Sequence, residues 1–321
     1  MSLTMEYTVV IRTLGKAGEK YQRMLDSLKT QTVLPKDIII YIADGYDIPK
    51  ETIGTERYVY VKKGMVAQRA LQYDEVKTEY MLFLDDDLYL PADTVEKMFS
   101  LLKENDGDVI SPDIFPNADR PFKNELMMTL SGRMRARGRD DVWGYKVMRT
   151  AGYSYNKNPN EVLQSQTNAG AMFLCRKDDF LRIKFDDELW LDEQKYPLGE
   201  DQVMYYKMFK NGLKILTWYG HKVEHLDGGG NLNPEKEKML IYSDFRFKTI
   251  FWHRFIFLPE RNLFMKIWDI CCMVYVLLFT LVISLFKVEI PILKIKWNAI
   301  KDGISFINSK EYKTLPRIEQ S

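Results

Sequence analysis

The chain has 321 residues, of which 46% are hydrophobic and 28% are charged, so it can bury a full α/β core with room for an added segment. Its 46 Lys and Arg residues almost equal its 45 Asp and Glu residues, and this balance argues against a nucleic-acid-binding protein. Cys175, Cys271 and Cys272 lack the spacing of a disulfide framework or a metal site. We expect a protein of a reducing compartment without a secretory signal, since no basic, apolar leader precedes the first strand-like run.

Strand and helix patterns alternate through the first 110 residues. Apolar runs predict strands over residues 7–11, 38–42, 57–61, 80–84 and 108–110. Apolar residues at helical spacing predict helices over residues 21–28, 66–73 and 91–104, and the last has Pro and Asp in its first turn. This order predicts an α/β domain with a mostly parallel sheet and helices on both faces.

The regular order breaks after this half. Residues 117–166 are polar, rich in Arg, Asn and Gly, and without a clear period, which is typical of a functional or partly disordered stretch. Beyond it we expect a strand at 171–175, a helix at 200–211 ended by Gly212, and a strand at 213–218. The predicted organisation is a catalytic domain over 1–230, with halves at 1–115 and 116–230, and a C-terminal helical region over 231–321.

Three adjacent carboxylates, Asp85, Asp86 and Asp87, follow the predicted strand at 80–84. Carboxylates this close raise one another's pKa unless a cation lies among them. Because side chains alternate along an extended chain, we expect Asp85 and Asp87 to face one way and Asp86 the other. Two acids on one side form a partial ligand set for a hard divalent cation, such as one bound to a phosphorylated substrate. A solvated acidic turn is the alternative.

Several further short motifs surround this triplet in a fixed order along the chain. They are Arg12-Thr13, Ser27-Leu28 with Gln31-Thr32, Asp44-Gly45, Lys63-Gly64 with Gln68-Arg69, Phe83-Leu84 before the three acids, Gly199-Glu200-Asp201, and His225 near Gly228-Gly229. Together they resemble the family 2 glycosyltransferases with a GT-A fold, over roughly residues 7–229. The resemblance implies a Rossmann-like mixed sheet, flanked by helices, that binds a nucleotide-sugar.

The resemblance also implies how the donor and its metal are bound. Asp87 would hold Mg²⁺ or Mn²⁺, with His225 as a further ligand, and Asp85 would contact the ribose or reach the metal through water. Arg69 would help to neutralise the diphosphate of a UDP-, GDP- or dTDP-sugar. The alternatives are a solvated Arg69 and a satisfied loop histidine, with His221 as a competing ligand.

The same resemblance assigns the base pocket and the catalytic base. Asp44 would accept a hydrogen bond from the nucleotide base and Thr13 would line that pocket, although Asp-Gly is also a common turn pair. Asp201 would remove the proton of the acceptor hydroxyl in a single inverting displacement, supported by Glu200. The alternative is that both acids only cap the helix that they begin.

The chain departs from the family pattern in three ways, and one loop is a candidate to contact the acceptor. Asp44 lacks the adjacent second acid of many members, and Ala70 replaces the usual Asn. The Gln-x-x-Arg-Trp signature of processive cellulose- and chitin-type synthases is absent, which favours a non-processive enzyme that adds a single sugar. The 117–166 stretch, with Trp143 and Tyr145, is a candidate to close over the sugar or the acceptor.

The C-terminal region has the composition of a membrane-associated segment. Residues 270–286 contain no charge and, at ~1.5 Å per residue, would span about 25 Å, the short limit for a bilayer. Basic and aromatic residues on both sides favour an interfacial position at the cytoplasmic membrane face as much as a crossing. Burial against the catalytic domain is the alternative.

These features predict a metal-dependent transferase that adds one sugar to a lipid-linked or saccharide acceptor in polysaccharide or lipopolysaccharide biosynthesis. Two alternatives remain open. One is a polyprenyl-phosphate sugar synthase of the same fold, whose phosphate acceptor needs no strong base. The other is a non-catalytic, membrane-bound protein that binds nucleotide-sugars.

Overall fold

A computed structural model of the chain describes residues 5–115, 121–137, 142–157, 159–227 and 233–318. The strands in these ranges are β1 (Tyr7–Thr13), β2 (Asp37–Ala43), β3 (Glu56–Val61), β4 (Tyr80–Asp85), β5 (Leu88–Tyr89), β6 (Val109–Pro112), β7 (Met134–Arg137), β8 (Tyr145–Val147), β9 (Tyr153–Asn156), β10 (Val162–Ser165), β11 (Met172–Arg176), β12 (Ile215–Trp218) and β13 (Glu224–His225).

The helices complete this inventory. They are α1 (Glu19–Lys29), α2 (Thr94–Glu104), α3 (Phe122–Leu130), α4 (Lys177–Arg182), α5 (Glu200–Lys210), α6 (Pro234–Phe251), α7 (Leu263–Phe286), α8 (Ile290–Asn308) and α9 (Lys310–Thr314), with a 3₁₀ segment at Phe185–Glu193 and a π-helical segment at Trp252–Phe257. The predicted elements at 7–11, 38–42, 57–61, 80–84, 91–104 and 200–211 are all present, with boundaries shifted by a few residues.

A mixed sheet forms the centre of the described chain. Its eight strands follow the order β10-β12-β6-β11-β4-β1-β2-β3. The β1, β2, β3 and β4 strands run parallel to one another, whereas β11 runs antiparallel to both β4 and β6, and β10 antiparallel to β12. The predicted α/β class with a mixed, mostly parallel sheet is therefore confirmed, because β12 also runs parallel to β6 and six of the eight strands point the same way, with β10 and β11 running against them.

Helices cover both faces of this sheet because its central strands are apolar on both sides. Along β4, Leu82 and Leu84 pack on the face covered by α1 and α2, while Met81 and Phe83 belong to the core cluster on the other face. That second cluster contains residues of α5 and α6, so the C-terminal region packs directly against the large sheet.

The helix predicted at 66–73 is wrong, because the structure has a series of turns there. Asp192 accepts hydrogen bonds from the backbone N–H groups of Val66 and Ala67, at 2.8 and 3.0 Å. Tyr73 has a left-handed backbone, with φ of 53°, which ends any helix at that point. The segment forms isolated turns, in which the N–H groups of Gln68 and Ala70 donate to the carbonyl oxygens of Gly64 and Val66 at 3.1 and 2.7 Å.

The irregular stretch predicted at 117–166 is also wrong for its described part. It contains α3 and four short strands, β7 to β10. Three of them form a separate small sheet in the order β7-β9-β8, and β10 joins the edge of the large sheet. Strands of three or four residues have too few positions to show a period in the sequence.

The apolar helix α7 extends further than residues 270–286. Its 24 residues make it long and apolar enough to cross a membrane, and no other helix in the described ranges meets that test. Met273 and Val276 are buried, whereas Leu278 is 57% exposed and Phe286 is 81% exposed. One face of α7 therefore packs on the protein and the other presents apolar side chains.

Candidate active site

A cleft of about 770 Å³ opens where β1 and β4 end, and we call it the strand-end cleft. The two strands are adjacent and parallel, with Arg12 paired in register with Asp85, so the residues that follow them leave the sheet at one edge. Of the residues predicted from sequence, those that line this cleft are Thr13, Asp85, Asp87, Glu200 and His225.

The three carboxylates of the triplet all line the strand-end cleft. Because β4 ends at Asp85 and a turn follows, the strand alternation that we expected does not continue to Asp87. The prediction that Asp86 faces away is therefore wrong. Its carboxylate accepts a hydrogen bond from the Thr13 hydroxyl, and burial raises the pKa of Asp86 to about 6.

Asp87 lies beside His225 at the mouth of the cleft. The distance between Asp87 Oδ2 and His225 Nε2 is 3.4 Å, and the short pairing of β5 with β13 sets this approach. His225 Nδ1 lies 2.6 Å from the carbonyl oxygen of Asp227, so a proton on Nδ1 leaves Nε2 as an acceptor. Burial raises the pKa of Asp87.

The donor set at Asp87 and His225 fits a divalent cation in part. A carboxylate oxygen and a neutral imidazole nitrogen suit Mn²⁺ and related ions. Among the described residues no group of three or more His, Cys, Asp and Glu side chains is placed to hold a metal. A cation here would need phosphate or water oxygens for the rest of its coordination, as is usual for metals bound with phosphorylated substrates.

Arg69 is buried, with 3% of its side chain exposed, and it connects two groups of acids. Its guanidinium lies 2.9 Å from Asp201 Oδ1 and 3.5 Å from Asp85 Oδ1, and it donates to the carbonyl oxygen of Gly170 at 2.9 Å. Arg69 does not line the strand-end cleft. It therefore holds the two carboxylates in position and is not exposed towards a ligand.

Arg12 makes a second connection between the same two groups of acids. Its Nε donates to Asp85 Oδ1 at 2.9 Å, and its Nη2 lies 3.4 Å from Glu200 Oε1. Burial and the adjacent charge of Asp201 raise the pKa of Glu200. The acids that end β4 and those that begin α5 thus form one network with Arg12 and Arg69.

Asp201 is the second residue of α5 and retains 33% of its side-chain surface, so solvent reaches it. The backbone of Gly170 lies against it. A Cβ at position 170 would lie 2.1 Å from Asp201 Oδ1 and 2.7 Å from Arg69 Nη1. The Asp201 carboxylate can therefore take this position only because residue 170 is a glycine.

Some residues that were predicted to contact the substrates do not line the strand-end cleft. Asp44 is exposed and does not line the strand-end cleft, although Tyr46, two residues later, contacts the lining residue Lys63 through its hydroxyl at 2.7 Å. Tyr145 is buried and donates to Asp113 Oδ1 at 2.7 Å, so it does not close over the cleft. The glycines at 228 and 229 lie outside the described residues.

His221, the competing ligand, accepts a hydrogen bond from the Val223 N–H through Nδ1 and packs against Trp218. It does not line the strand-end cleft. Of the two histidines considered, His225 is thus the one near the acids.

Sequence reasoning missed several lining residues. Lys16 and Lys20 place positive charge around the cleft beside Lys63 of the Lys63-Gly64 motif, and Asp192 reaches it from the 3₁₀ segment. The position of Lys16 three residues after the end of β1 was an available signal, because loops at the carboxyl ends of parallel strands form ligand sites. No local signal marks Asp192.

The chain is similar to solved structures of known proteins. Among solved structures, the chain matches GalNAc-T7 with UDP, GalNAc and Mn²⁺ at 14% identity and a TM-score of 0.48, covering 83% of this chain and 55% of that one. It matches S. aureus TarS at 13% identity and a TM-score of 0.46, covering 84% of this chain and 43% of that one. It matches TarS 1–349 at 12% identity and a TM-score of 0.47, covering 85% of this chain and 70% of that one. The chain thus spans about half the length of the first of these structures.

A comparison with curated proteins finds no match. The family model for glycosyl transferase family 2 matches residues 8–183, which is more than half of the chain. This range includes β1, the acidic triplet and β11. The chain belongs to glycosyltransferase family 2 and has the mixed α/β GT-A fold of that family.

Proposed function

We propose that this glycosyltransferase moves a single sugar from a nucleotide-sugar to a lipid-linked glycan acceptor, with a divalent metal and with inversion. The observation that supports this most directly is the network in the strand-end cleft. Arg12 and Arg69 each contact Asp85 and one acid at the start of α5. The groups proposed for the donor and for the acceptor are thereby fixed relative to each other, as a displacement between two bound substrates requires.

Asp87 and His225 are the residues that would hold Mn²⁺ or Mg²⁺. When bound, such a cation supplies positive charge that stabilises the leaving diphosphate. Lys16, Lys20 and Lys63 line the same cleft, and we propose that they bind phosphate oxygens of the donor. Asp85 would contact the ribose of the donor, since Arg12 and Arg69 hold its carboxylate in place.

Thr13 and Asp44 are proposed for the side that binds the nucleotide base. Thr13 lines the cleft and is oriented by Asp86 and by the N–H of Gly15, which donates to the Thr13 hydroxyl oxygen at 2.8 Å. Asp44 lies at the end of β2, next to β1 in the sheet. It would reach the base only at the outer rim of the cleft, because its side chain is exposed.

Asp201 is the proposed catalytic base. An inverting displacement needs a carboxylate that takes the proton of the acceptor hydroxyl as it attacks the anomeric carbon. Arg69 orients one oxygen of Asp201, while the exposed third of the side chain leaves room for an acceptor. Glu200 supports this arrangement by binding Arg12 within the cleft.

We propose that residues 1–230 form the catalytic domain and that the region 231–321 attaches it to the cytoplasmic face of the membrane. The exposed apolar face of α7 supports this attachment. Flotation of the full chain with liposomes tests it, and a chain that stays in the aqueous fraction contradicts it.

The test of the proposed base is Asp201→Asn. Transfer should fall by about 10²- to 10⁴-fold, the usual contribution of a general base, while nucleotide-sugar binding is retained. Asp178→Asn is the matched control, because Asp178 is an exposed acid in the first turn of α4. Transfer by Asp201→Asn at a rate near that of wild type would contradict the proposal and favour a phosphate acceptor, as in a polyprenyl-phosphate sugar synthase.

A further inference from the structure

A second and larger cavity, of about 1050 Å³, lies between the small β7-β9-β8 sheet and helices of the C-terminal region. Its lining includes five basic side chains and one acid, Glu260. The basic residues are Arg135, Arg137, Lys146, Arg149 and Lys210. We call it the basic cavity. Such an excess of one charge in a concave site favours an anionic ligand.

The opposite wall of the basic cavity is apolar. Phe255 and Ile256 come from the π-helical segment, and Cys272 and Tyr275 come from α7. Tyr275 is 47% exposed, and the exposed apolar face of α7 continues from it through Leu278. The basic side chains would therefore bind the anionic group of a ligand, and the apolar wall would bind a long apolar chain attached to that group.

Helix α7 is held at this cavity by its own ion pair. Asp269 is fully buried and lies 2.5 Å from Arg149 Nη1, while Glu260 Oε2 lies 3.5 Å from the same nitrogen. A Cβ at Gly132 would lie 2.5 Å from Val276 Cγ2, so α7 packs closely on the end of α3. The apolar helix is thus connected directly to Arg149, one of the basic side chains of the cavity.

Helix α5 runs from the strand-end cleft to the basic cavity. Its first residue, Glu200, lines the cleft, whereas Tyr206 and Lys210 line the cavity. Tyr206 lies six positions after Glu200 on the helix, which corresponds to a rise of about 9 Å. Gln202 donates to the carbonyl oxygen of Ala151 at 3.1 Å, next to the lining residue Thr150. Asp201 therefore stands on the helix that joins the two sites.

We propose that the basic cavity binds the phosphate or diphosphate group of a lipid-linked acceptor, with its lipid chain along the exposed face of α7. The proposal rests on the proposed function and names the acceptor's charged group and where it binds. A glycan attached to this group would extend along the start of α5 towards Asp201. The second cavity thus sets which acceptors reach the base.

The test measures binding of farnesyl diphosphate, a short lipid diphosphate, to the full chain in detergent micelles with EDTA. Isothermal titration calorimetry compares it with inorganic diphosphate and with farnesol. Farnesyl diphosphate should bind at least tenfold more tightly than either, because each comparison ligand lacks one of the two matched parts.

The variant Arg135→Ala/Lys146→Ala should weaken farnesyl diphosphate binding at least tenfold, because it removes two of the charges that face the ligand. The control Arg182→Ala/Lys103→Ala removes the same charges at exposed sites that line neither cavity, and it should bind as wild type does. Equal binding by the two double variants would overturn the proposal, as would inorganic diphosphate or farnesol binding as tightly as farnesyl diphosphate.

Failure of this proposal is distinguishable from failure of the proposed function. UDP, GDP and dTDP are titrated separately, with Mn²⁺, into the same Arg135→Ala/Lys146→Ala variant. At least one of them should bind as it does to wild type, because neither side chain lines the strand-end cleft. If the nucleotide binds as before but farnesyl diphosphate binds no more tightly than inorganic diphosphate or farnesol, only the acceptor proposal is overturned. Absence of nucleotide binding to wild type overturns the proposed function instead.

Discussion

Replacing Gly170 with alanine should displace the proposed base without changing any charge. The added Cβ would lie 2.1 Å from Asp201 Oδ1 and 2.7 Å from Arg69 Nη1, far inside van der Waals contact. One of these atoms must move by about 1 Å or more to restore ordinary contact. The buried Arg69 has little room to move, since it also donates to the Gly170 carbonyl oxygen and lies near Asp85. We therefore expect Asp201 to shift.

The expected magnitude follows from that displacement. A misplacement of about 1 Å at a catalytic group costs on the order of 10²-fold in kcat. KM for the nucleotide-sugar should change little, because Gly170 does not line the strand-end cleft. Overpacking of this kind also destabilises a protein by about 1–3 kcal/mol. Steady-state transfer kinetics and thermal unfolding, measured on the same preparation, report both effects.

The matched control is Gly107→Ala. A Cβ there would lie 2.4 Å from Leu216 Cδ1, a core contact that involves no residue of the cleft. Both variants should lose similar stability, while only Gly170→Ala should lose transfer activity below its unfolding temperature. Equal kcat values for the two variants would refute the role given to the position of Asp201.

Two further predictions concern the acidic triplet. Asp87→Asn should weaken Mn²⁺-dependent nucleotide-sugar binding at least tenfold and leave the weaker binding in EDTA unchanged, as calorimetry would show; equal loss under both conditions contradicts a metal-binding role. For Asp86, burial raises the pKa from 3.8 to about 6, so its contribution to stability is fully present below pH ~4 and is lost as pH rises through 6. At pH 7 without metal, Asp86→Asn should therefore be more stable than wild type by up to about 3 kcal/mol in urea unfolding, and parallel pH profiles would contradict this.

The core of the sheet was predictable because its signals are local. The apolar runs of β1, β2 and β4 and the helical spacing of Tyr21, Met24, Leu25 and Leu28 in α1 need no distant contact to be recognised. The triplet was placed correctly at the end of β4 for the same reason. Its side-chain directions were not, because the expected alternation assumed that the strand continued past Asp85.

The features that we predicted wrongly or did not predict depend on contacts between residues far apart in the chain. The 66–70 segment is bound by Asp192, which accepts hydrogen bonds from the backbone N–H groups of Val66 and Ala67 across more than 120 residues. Arg69 was expected to face a diphosphate, but Asp201, 132 residues later, and Gly170 enclose it. Neither partner is visible in a local pattern. The basic cavity likewise combines side chains from β7, β8, α5 and α7, and no single stretch of sequence shows it.

The most direct test of the account is a thermal-unfolding screen of the full chain with UDP-, GDP- and dTDP-sugars in the presence of Mn²⁺. A ligand present at 100 times its Kd stabilises the native state by about 2.7 kcal/mol, which corresponds to roughly 5–10 °C. We predict that at least one nucleotide-sugar gives such a rise, and that EDTA or Asp87→Asn reduces it. No rise with any of these donors, from a chain that unfolds cooperatively, would contradict the assignment of the strand-end cleft as the donor site.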